Sequence, residues 1–385
     1  MTETIHIQVN HKMLIWARET LALTKTQASE RTGISTKRIS QLEDDNRDKQ
    51  PTLDELKELS KAYKRTIATL LLLEPPKEKP LPIDRRTIDS KEIGKFHEKT
   101  IIAVRKARAL AESYVELRQE LGIEIPKLKV SASLKNNPKD IAINISKILQ
   151  LSEIREIKNI NLALETYIEK VESLGIAVFQ LSLTQDSLRG FSIIDDILPI
   201  IGIKRGQEAA HSKTFTLFHE LGHILLNESG LCDLSEKTDI EIEKWCNAFS
   251  AEILIPTKEL LQIEKVIEQR NSRNKLWKHM DLVLLGNYFH VGPLAILRSL
   301  LENNLTTNAF YNEKHLAWNK PQFGRAKEPK GRELHKESLQ ERGRTYVSLA
   351  FSAYDQNRID LKDLSDFLGL KLSYIPKTRQ LIRAY

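Results

Sequence analysis

The sequence predicts an α+β protein that is mostly helical and contains more than one domain. Apolar residues recur at helical spacing over most of the chain, as in "KMLIWARETLAL" and "DIAINISKILQL". Three short runs rich in β-branched residues, "IAVFQLSL", "GFSII" and "LPIIGI", follow one another and predict one small sheet. A chain of 385 residues is also long enough for two or three domains.

Proline and charge divide the chain into segments. "EPPKEKPLPIDRR" carries four prolines and mixed charge, which predicts a linker. Residues 306–345 hold 9 Lys+Arg against 5 Asp+Glu, so we predict a basic linker there. The predicted segments are an all-α domain at 1–74, a linker at 75–90, a larger α+β domain at 91–305, the basic linker at 306–345 and a small helical C-terminal region at 346–385.

The overall composition favours a cytoplasmic protein with an anionic partner. The net charge is +7 and the pI is about 9.1. Cys232 and Cys246 are the only cysteines, too few for a disulfide framework, so a reducing compartment is expected. No apolar run reaches the ~18 residues that a membrane-spanning helix needs, and no signal peptide is apparent. We therefore expect no membrane partner.

The stretch "TFTLFHELGHILLN", residues 214–227, places two histidines and a glutamate in an almost entirely apolar helix. His219 and His223 are four residues apart and lie on one helix face, so both imidazoles can point at one ion. Glu220 lies about 100° round from His219, from where it can reach a water on that ion without being a ligand. Zinc suits such a site, and the glutamate would take the proton of the acidified water.

A third metal ligand is expected from the helix that follows. Glu243, in "EKWCN", is the best candidate, and Asn247 lies one turn later, where it could orient a ligand. Glu241, Glu252 and Asp233 are alternative ligands. The alternative interpretation of the two histidines is a buried pair whose ring nitrogens have other partners.

These motifs, in this order, resemble the ImmA/IrrE-type zinc metallopeptidases over about residues 175–303. The family pattern has a strand, a helix of the form FTLxHELGH, and then ExxxNxFAxxLLxP. The resemblance implies a zincin-like domain with a small sheet and an HExxH helix. It makes His219, His223 and Glu243 zinc ligands and Glu220 the general base, whereas Cys246 stands where the family usually has alanine. It also implies a bacterial or prophage regulatory peptidase that cleaves a partner transcription regulator.

The stretch that begins "LTKTQASERTGISTKRISQLE" resembles the Xre-type helix-turn-helix of phage repressors, over about residues 8–73. Thr24 is a predicted N-cap, Gly33 ends that helix, and Ser35 caps the recognition helix. Residues 1–73 hold 12 Lys+Arg against 10 Asp+Glu, so protein docking or dimerisation remains an alternative to DNA binding. The predicted DNA contacts are Lys25 and Gln27 to phosphates and Thr36, Lys37, Arg38, Ser40 and Gln41 to the major groove.

A second, weaker pattern lies near the C-terminus. "DLKDLSDFLGLKL", residues 360–372, resembles the helix-turn-helix fragment of a winged helix. An ordinary pair of short amphipathic helices is the alternative interpretation.

Two functions fit the whole sequence. In the first, a DNA-binding regulatory zinc metallopeptidase cleaves a partner transcription regulator. In the second, the protein is the antitoxin and transcriptional autorepressor of a toxin–antitoxin pair, and the peptidase-like domain is a binding scaffold for the toxin. Both predict double-stranded operator DNA as a partner, a protein substrate or toxin as another, and a possible homodimer that would read a palindrome.

Overall fold

A computed structural model describes residues 5–45, 49–78, 81, 98–183, 189–206, 209–227, 236–271, 275–318 and 332–383. The chain forms two compact units, Met1–Lys106 and Ala107–Tyr385. The first helices along the chain are α1 (His11–Glu19), α2 (Lys25–Thr32), α3 (Thr36–Leu42), α4 (Leu53–Tyr63), α5 (Ile67–Leu70) and α6 (Glu98–Glu120).

The N-terminal unit is all-α, as predicted, and its helices begin and end at the expected residues. Thr24 accepts a hydrogen bond from the Gln27 backbone while the Gln27 side chain accepts one from the Thr24 N–H, a reciprocal cap for α2. Gly33 ends α2 with a left-handed φ of 72°, and Ser35 caps α3. Buried side chains from α1, α3 and α4, among them Met13, form its core.

The second unit combines helices with a three-stranded sheet. Its first elements are α7 (Pro138–Ile148), a 3₁₀ helix (Leu151–Glu156), α8 (Ile160–Glu172), β1 (Ala177–Leu181), β2 (Gly190–Ile193), β3 (Ile200–Lys204), α9 (Ala210–Leu226) and α10 (Glu236–Leu254). Those that follow are α11 (Thr257–Leu260), α12 (Glu264–Asn271), α13 (His279–Phe289), α14 (Pro293–Glu302), α15 (Asn308–Trp318), α16 (Leu334–Arg342), α17 (Arg344–Asp355), α18 (Leu361–Leu368), a 3₁₀ helix (Leu372–Tyr374) and α19 (Ile375–Arg383).

The small sheet has the strand order β1-β3-β2 and confirms the three predicted strands. β1 pairs parallel with β3, with Ala177 opposite Ile200, and β2 pairs antiparallel with β3, with Gly190 opposite Ile203. The central strand β3 is buried over residues 200–203, which explains its continuous run of apolar residues. β2 is an edge strand of the described sheet, and it contacts α9.

The core of the second unit surrounds α9. This helix contacts α8, α10, β2 and β3, so nearly every side chain after Lys213 is buried. A helix that is apolar all round is the pattern expected for such a central position. Among the described residues, α13 and α14 are long and apolar enough to cross a bilayer only when taken together, as a pair bent by 96°, and no single helix is.

The segment predicted as a basic linker contains two helices among its described residues. α15 packs on α14 and buries Phe310 in the core, and α16 packs on β1 with Ser338 and Arg342 buried. Only part of the charge that suggested a linker lies on these helices, because four of the nine basic residues of 306–345 fall within 319–331. Residues 319–331 lie outside the described part, as do 79–80 and 82–90 of the predicted proline-rich linker.

A buried carboxyl lies where α8 meets α17. Glu172, the last residue of α8, accepts a hydrogen bond from Thr345 Oγ1, and the other carboxyl oxygen lies beside Gly343. Burial raises the pKa of Glu172 to about 8, against the opposing effect of the Thr345 hydrogen bond. The carboxyl is therefore protonated in the folded protein at neutral pH.

Glu172→Gln is expected to make the protein more stable at mildly alkaline pH. In the unfolded chain this carboxyl ionises near its ordinary pKa of about 4.3, whereas in the folded chain it stays protonated up to about 8. The native state therefore loses stability as the pH rises through that window, and a neutral glutamine removes the loss. We expect the variant to gain about 2–4 kcal/mol over wild type near pH 8 and almost nothing near pH 4.

Urea unfolding at several pH values measures this difference. Glu153→Gln is the matched control, because Glu153 is 67% exposed and its substitution should change stability little at any pH. The contrary result would be a difference in free energy of unfolding between Glu172→Gln and wild type that does not change with pH from about pH 5 to about pH 8. That result would show that the Glu172 carboxyl titrates normally in the folded chain.

Candidate functional site

Two adjacent helices bring the predicted metal ligands together. His219 and His223 lie on α9 and Glu243 on α10, and their ligand atoms all lie within 4.8 Å of one another. The Nε2 atoms of His219 and His223 are each 3.2 Å from one oxygen of the Glu243 carboxylate, and 3.2 Å from each other. The i,i+4 spacing on α9 and the position of Glu243 on α10 thus produce a single cluster of three donors.

A glycine allows the two helices to approach closely. A Cβ atom at Gly222 would lie 3.1 Å from Cys246 Sγ and 3.3 Å from the ring of Phe249. Any larger residue would push α10 away from α9 and would separate Glu243 from the two histidines. The sequence analysis missed this residue, although a glycine inside a helix that otherwise looks fully buried is a signal of close packing.

Asn247 lies where the sequence analysis placed it, one turn after Glu243. Its Oδ1 is 3.1 Å from Nδ1 of His219. When that nitrogen carries the proton it donates to the amide oxygen, and Nε2 of His219 then faces Glu243; with a metal ion bound, Nε2 would be free of its proton and could coordinate. The asparagine therefore fixes both the tautomer and the orientation of one histidine.

The cluster is shielded from solvent and electrostatically coupled. His219 is 2% exposed and His223 9%, and Glu243 is largely buried between them. Burial by itself raises the pKa of the Glu243 carboxyl, but the hydrogen bonds and charges of both histidines outweigh it and hold the pKa well below its usual range. Glu243 is therefore an ionised ligand at neutral pH.

Glu220 is buried beside the ligand cluster on the side of the sheet. It is 3% exposed, and its Oε1 lies against Gly190, the first residue of β2. A Cβ atom at residue 190 would come within 3.2 Å of this oxygen and within 2.9 Å of the Gly202 carbonyl. Gly190 thus leaves room for the Glu220 carboxylate, a role that the sequence analysis did not assign to it.

The alternative ligands take other positions. Glu252 is buried, but its carboxylate accepts hydrogen bonds from the Thr257 N–H and hydroxyl at the end of α10. Glu241 is exposed, and Asp233 lies outside the described residues. Cys246 is fully buried and packs against Gly222, so its thiol fills space between α9 and α10.

The helix-turn-helix presents most of the predicted DNA contacts to solvent. Thr36 and Lys37 are exposed on α3, and Ser40 and Gln41 are partly exposed. At the start of α2, Lys25 lies 3.5 Å from the Glu43 carboxylate. The side chain of Gln27 is exposed but also serves as the reciprocal cap of α2.

Arg38 differs from the other predicted contacts. Its guanidinium forms a two-pronged ion pair with Glu55, at 2.8 and 2.9 Å, and donates to the Gln50 carbonyl. The hydrogen bonds that Arg38 donates to Glu55 raise the pKa of Arg38 and lower that of Glu55. In this structure Arg38 therefore joins α3 to the start of α4 rather than pointing away from the domain.

Comparison with known families supports both predicted domain types. Residues 171–300 match the peptidase M78 family model, described as an IrrE N-terminal-like domain, and residues 14–70 match a model described as helix-turn-helix. Searches of curated proteins and of solved structures give no significant match. The predicted fusion of an Xre-like helix-turn-helix with an ImmA/IrrE-like domain is thereby confirmed. The chain is a DNA-binding protein of regulatory type that carries a peptidase-like domain.

Proposed function

We propose that the protein is a DNA-binding zinc metallopeptidase that cleaves a partner transcription regulator. One observation carries the proposal: two imidazole nitrogens and a carboxylate converge within 4.8 Å, with a buried glutamate next to the first histidine. Two histidines and one carboxylate are the ligand set of catalytic zinc sites that keep a position open for water. A purely structural zinc site is usually closed by a fourth protein ligand.

The cluster fits a metal ion better than it fits a metal-free core. The two histidines are almost fully buried and the Glu243 side chain is 20% exposed, so an ionised carboxylate without a cationic partner would be costly there. His219, His223 and Glu243 would hold the ion, and Asn247 would keep His219 in the coordinating tautomer. The matched peptidase model over residues 171–300 supports the same assignment.

The metal ion and Glu220 would have different chemical roles. Zinc, when bound, supplies a Lewis acid that polarises a peptide carbonyl and acidifies a water molecule. Glu220 would receive the proton of the attacking water and later deliver it to the leaving amine. Its burial against Gly190 keeps the carboxylate in one place and limits competing water.

The N-terminal domain would bring this activity to an operator or to a regulator bound there. Thr36, Lys37, Ser40 and Gln41 would read base edges, and Lys25 would contact phosphate. Arg38 would act indirectly, because its pairing with Glu55 holds α3 at a fixed angle to α4. A homodimer would read a palindromic site and a monomer one half-site.

The zinc content of the purified protein is the first test. Wild-type protein purified without added metal should carry close to one zinc per chain, and Glu243→Ala should lose it because two histidines alone hold zinc weakly. Glu241→Ala is the matched control, since Glu241 is an exposed glutamate on the same helix. A wild type that stays free of zinc even after zinc is supplied would exclude the peptidase function.

Cleavage is tested in cells that express the wild type or Glu243→Ala. We expect a new protein N-terminus within a DNA-binding regulator in the first strain only, detected by mass spectrometry of N-terminal peptides. An antitoxin would instead neutralise its toxin in both strains, without any new N-terminus. That outcome would support the scaffold function in place of the peptidase.

A further inference from the structure

The C-terminal helices repeat the backbone plan of the N-terminal helix-turn-helix. Thr24 and Asp360 each cap an eight-residue helix reciprocally, and each helix ends at a glycine in the left-handed conformation. Gly33 has a φ of 72° and Gly369 a φ of 59°, nine residues after the respective cap. The N-cap position of the next helical segment lies two residues beyond the glycine in both cases, although Ser35 caps its helix with its side chain and Lys371 does not.

The cap of that next segment has nearly the same backbone geometry in the two motifs. Ser35 has φ −59° and ψ 144°, and Lys371 has φ −65° and ψ 148°. The 3₁₀ helix 372–374 leads directly into α19, so a helical segment begins three residues after Gly369, as α3 begins three residues after Gly33.

The buried positions of the two motifs also coincide. In the first helix of each motif they lie four and eight residues after the cap, and in the second helix six and nine residues after the glycine. The buried residues are Ala28 and Thr32 in α2, Leu364 and Leu368 in α18, Ile39 and Leu42 in α3, and Ile375 and Thr378 in α19.

The helix before each motif, α1 or α17, also ends at the same distance from the cap. α1 ends at Glu19, five residues before Thr24, and α17 ends at Asp355, five residues before Asp360. In the first motif Arg18 of α1 pairs with Glu43 at the end of α3. In the second, Asp355 of α17 pairs with Arg379 of α19, so an ion pair of opposite arrangement joins the same two helices, one residue further along the first helix and closer to solvent.

The exposed face of the second motif is basic. From residue 369 to the C-terminus the sequence has four Lys+Arg and no Asp+Glu. Lys371 and Lys377 are exposed, and neither is paired with a carboxylate of the described residues. Ser373 and Gln380 are also exposed there and could donate or accept hydrogen bonds at a phosphate or a base edge.

α16 holds the motif in a fixed orientation. Ser338 Oγ donates to the Leu368 carbonyl at 2.6 Å, and Arg342 Nε donates to the Phe367 carbonyl at 2.8 Å, which satisfies the last turn of α18. A Cβ atom at Gly369 would overlap the Arg342 guanidinium, so the turn requires glycine for space as well as for φ. Because α16 also packs on β1, the exposed face is presented by a rigid support.

We propose that α17–α19 form a second helix-turn-helix, which contacts duplex DNA through the exposed face of residues 371–380. Lysines on this face contact phosphates, and the helical segment 372–383 enters or lies along the major groove. The second surface adds to the affinity that α3 provides, and it operates whether or not the metal cluster is catalytic. A protein with two such motifs binds two stretches of DNA or one longer site.

The experiment measures binding of full-length protein to a random-sequence duplex of about 40 base pairs, long enough for several half-sites, over a range of salt concentrations. Lys371→Gln with Lys377→Gln should lower the slope of log K against log salt by up to about 2, since each phosphate contact contributes about 0.9. The affinity at low salt should fall about tenfold or more. Lys258→Gln with Lys265→Gln is the matched control, because both lysines are exposed on other helices of the same unit.

A second pair of proteins isolates the new surface. In a chain with Lys37→Gln and Gln41→Ala, the residual duplex binding should disappear when Lys371 and Lys377 are also changed. The proposal is overturned if the two lysines leave affinity and slope unchanged, or if the control pair lowers both equally. It is also overturned if the Lys371→Gln and Lys377→Gln changes weaken binding to single-stranded RNA but not to duplex DNA. Zinc content is unaffected by these changes, so failure here is distinct from failure of the peptidase function.

Discussion

Glu220→Gln protein is expected to fold and to hold zinc like the wild type while cleaving its partner about 10²–10⁴-fold more slowly. Glutamine has nearly the same shape as glutamate, so it fits the space beside Gly190. It cannot accept a proton, which removes the general base. Glu220 lies outside the group of three ligand side chains, so the metal should remain.

We would compare wild type and Glu220→Gln in zinc content, in thermal stability and in the rate at which the partner's new N-terminus appears. Glu264→Gln is the control, since it makes the same chemical change at an exposed position on α12. Cleavage at the wild-type rate by Glu220→Gln would remove Glu220 from the mechanism. Toxin neutralisation that persists unchanged in the variant, with no cleavage in either protein, would favour the antitoxin function.

The N-terminal domain was predictable because its signals are local. Thr24, Gly33 and Ser35 fix the ends of α2 and α3 through their own hydrogen bonds and backbone preferences. The pairing of Arg38 with Glu55 was not predictable, because it depends on the angle at which α4 crosses α3. A charged residue on a recognition helix looks the same in sequence whether it faces DNA or a neighbouring helix.

The metal cluster was predictable in part for the same reason. The i,i+4 spacing of His219 and His223 is a property of one helix, whereas the choice among Glu243, Glu241 and Glu252 depends on how α10 packs on α9. The motif order of a known family pointed to Glu243, and the structure places it 3.2 Å from both histidines. Gly222, where α9 and α10 pack closely, was not among the predicted site residues, although a glycine in a buried helix is a signal of such packing.

The charge count over residues 306–345 gave the wrong impression of that segment. An average over 40 residues cannot distinguish a solvated linker from helices that bury one face and expose charges on the other. Phe310 and Ser338 show the difference, since Phe310 is buried in the core of the second unit and Ser338 is buried beside the Leu368 carbonyl, to which it donates. The resemblance of residues 360–372 to a helix-turn-helix stays a prediction, and the likeness of α17–α19 to the N-terminal helices depends on backbone angles and buried positions that the sequence does not show.

Glu43→Ala is expected to destabilise the N-terminal unit by about 3–5 kcal/mol, enough to unfold most of a small domain. Glu43 is buried at the end of α3 and accepts hydrogen bonds from Arg18 Nε at 2.7 Å and from its terminal nitrogen at 3.0 Å. The pair raises the pKa of Arg18, so the guanidinium stays charged. Removing the carboxylate takes away the buried partner of that charge and leaves it the exposed Glu19 carboxylate and the Leu23 carbonyl.

Hydrogen exchange followed by mass spectrometry on the full chain resolves the effect by region. Peptides from α1 to α4 should lose protection, while peptides from α9 and α10 keep it, because they lie in the other unit. Glu58→Ala is the control, since Glu58 pairs with Lys61 on the surface, and we expect a change of at most about 0.5 kcal/mol.

A double variant distinguishes two contributions to the free energy of unfolding. One is the destabilisation caused by a buried charge without a partner, and the other is the net stabilisation that the ion pair provides. Arg18→Met with Glu43→Leu removes both charges and keeps most of the buried volume, so it should be far more stable than Glu43→Ala. Equal destabilisation in the single and double variants would mean that the ion pair stabilises the domain directly. The expected order, with the double variant close to wild type, would mean that the pair mainly fixes the orientation of α1 against α3. α17 and α19 are also joined by an ion pair, Asp355 with Arg379, but that pair lies at the surface and its loss should cost far less.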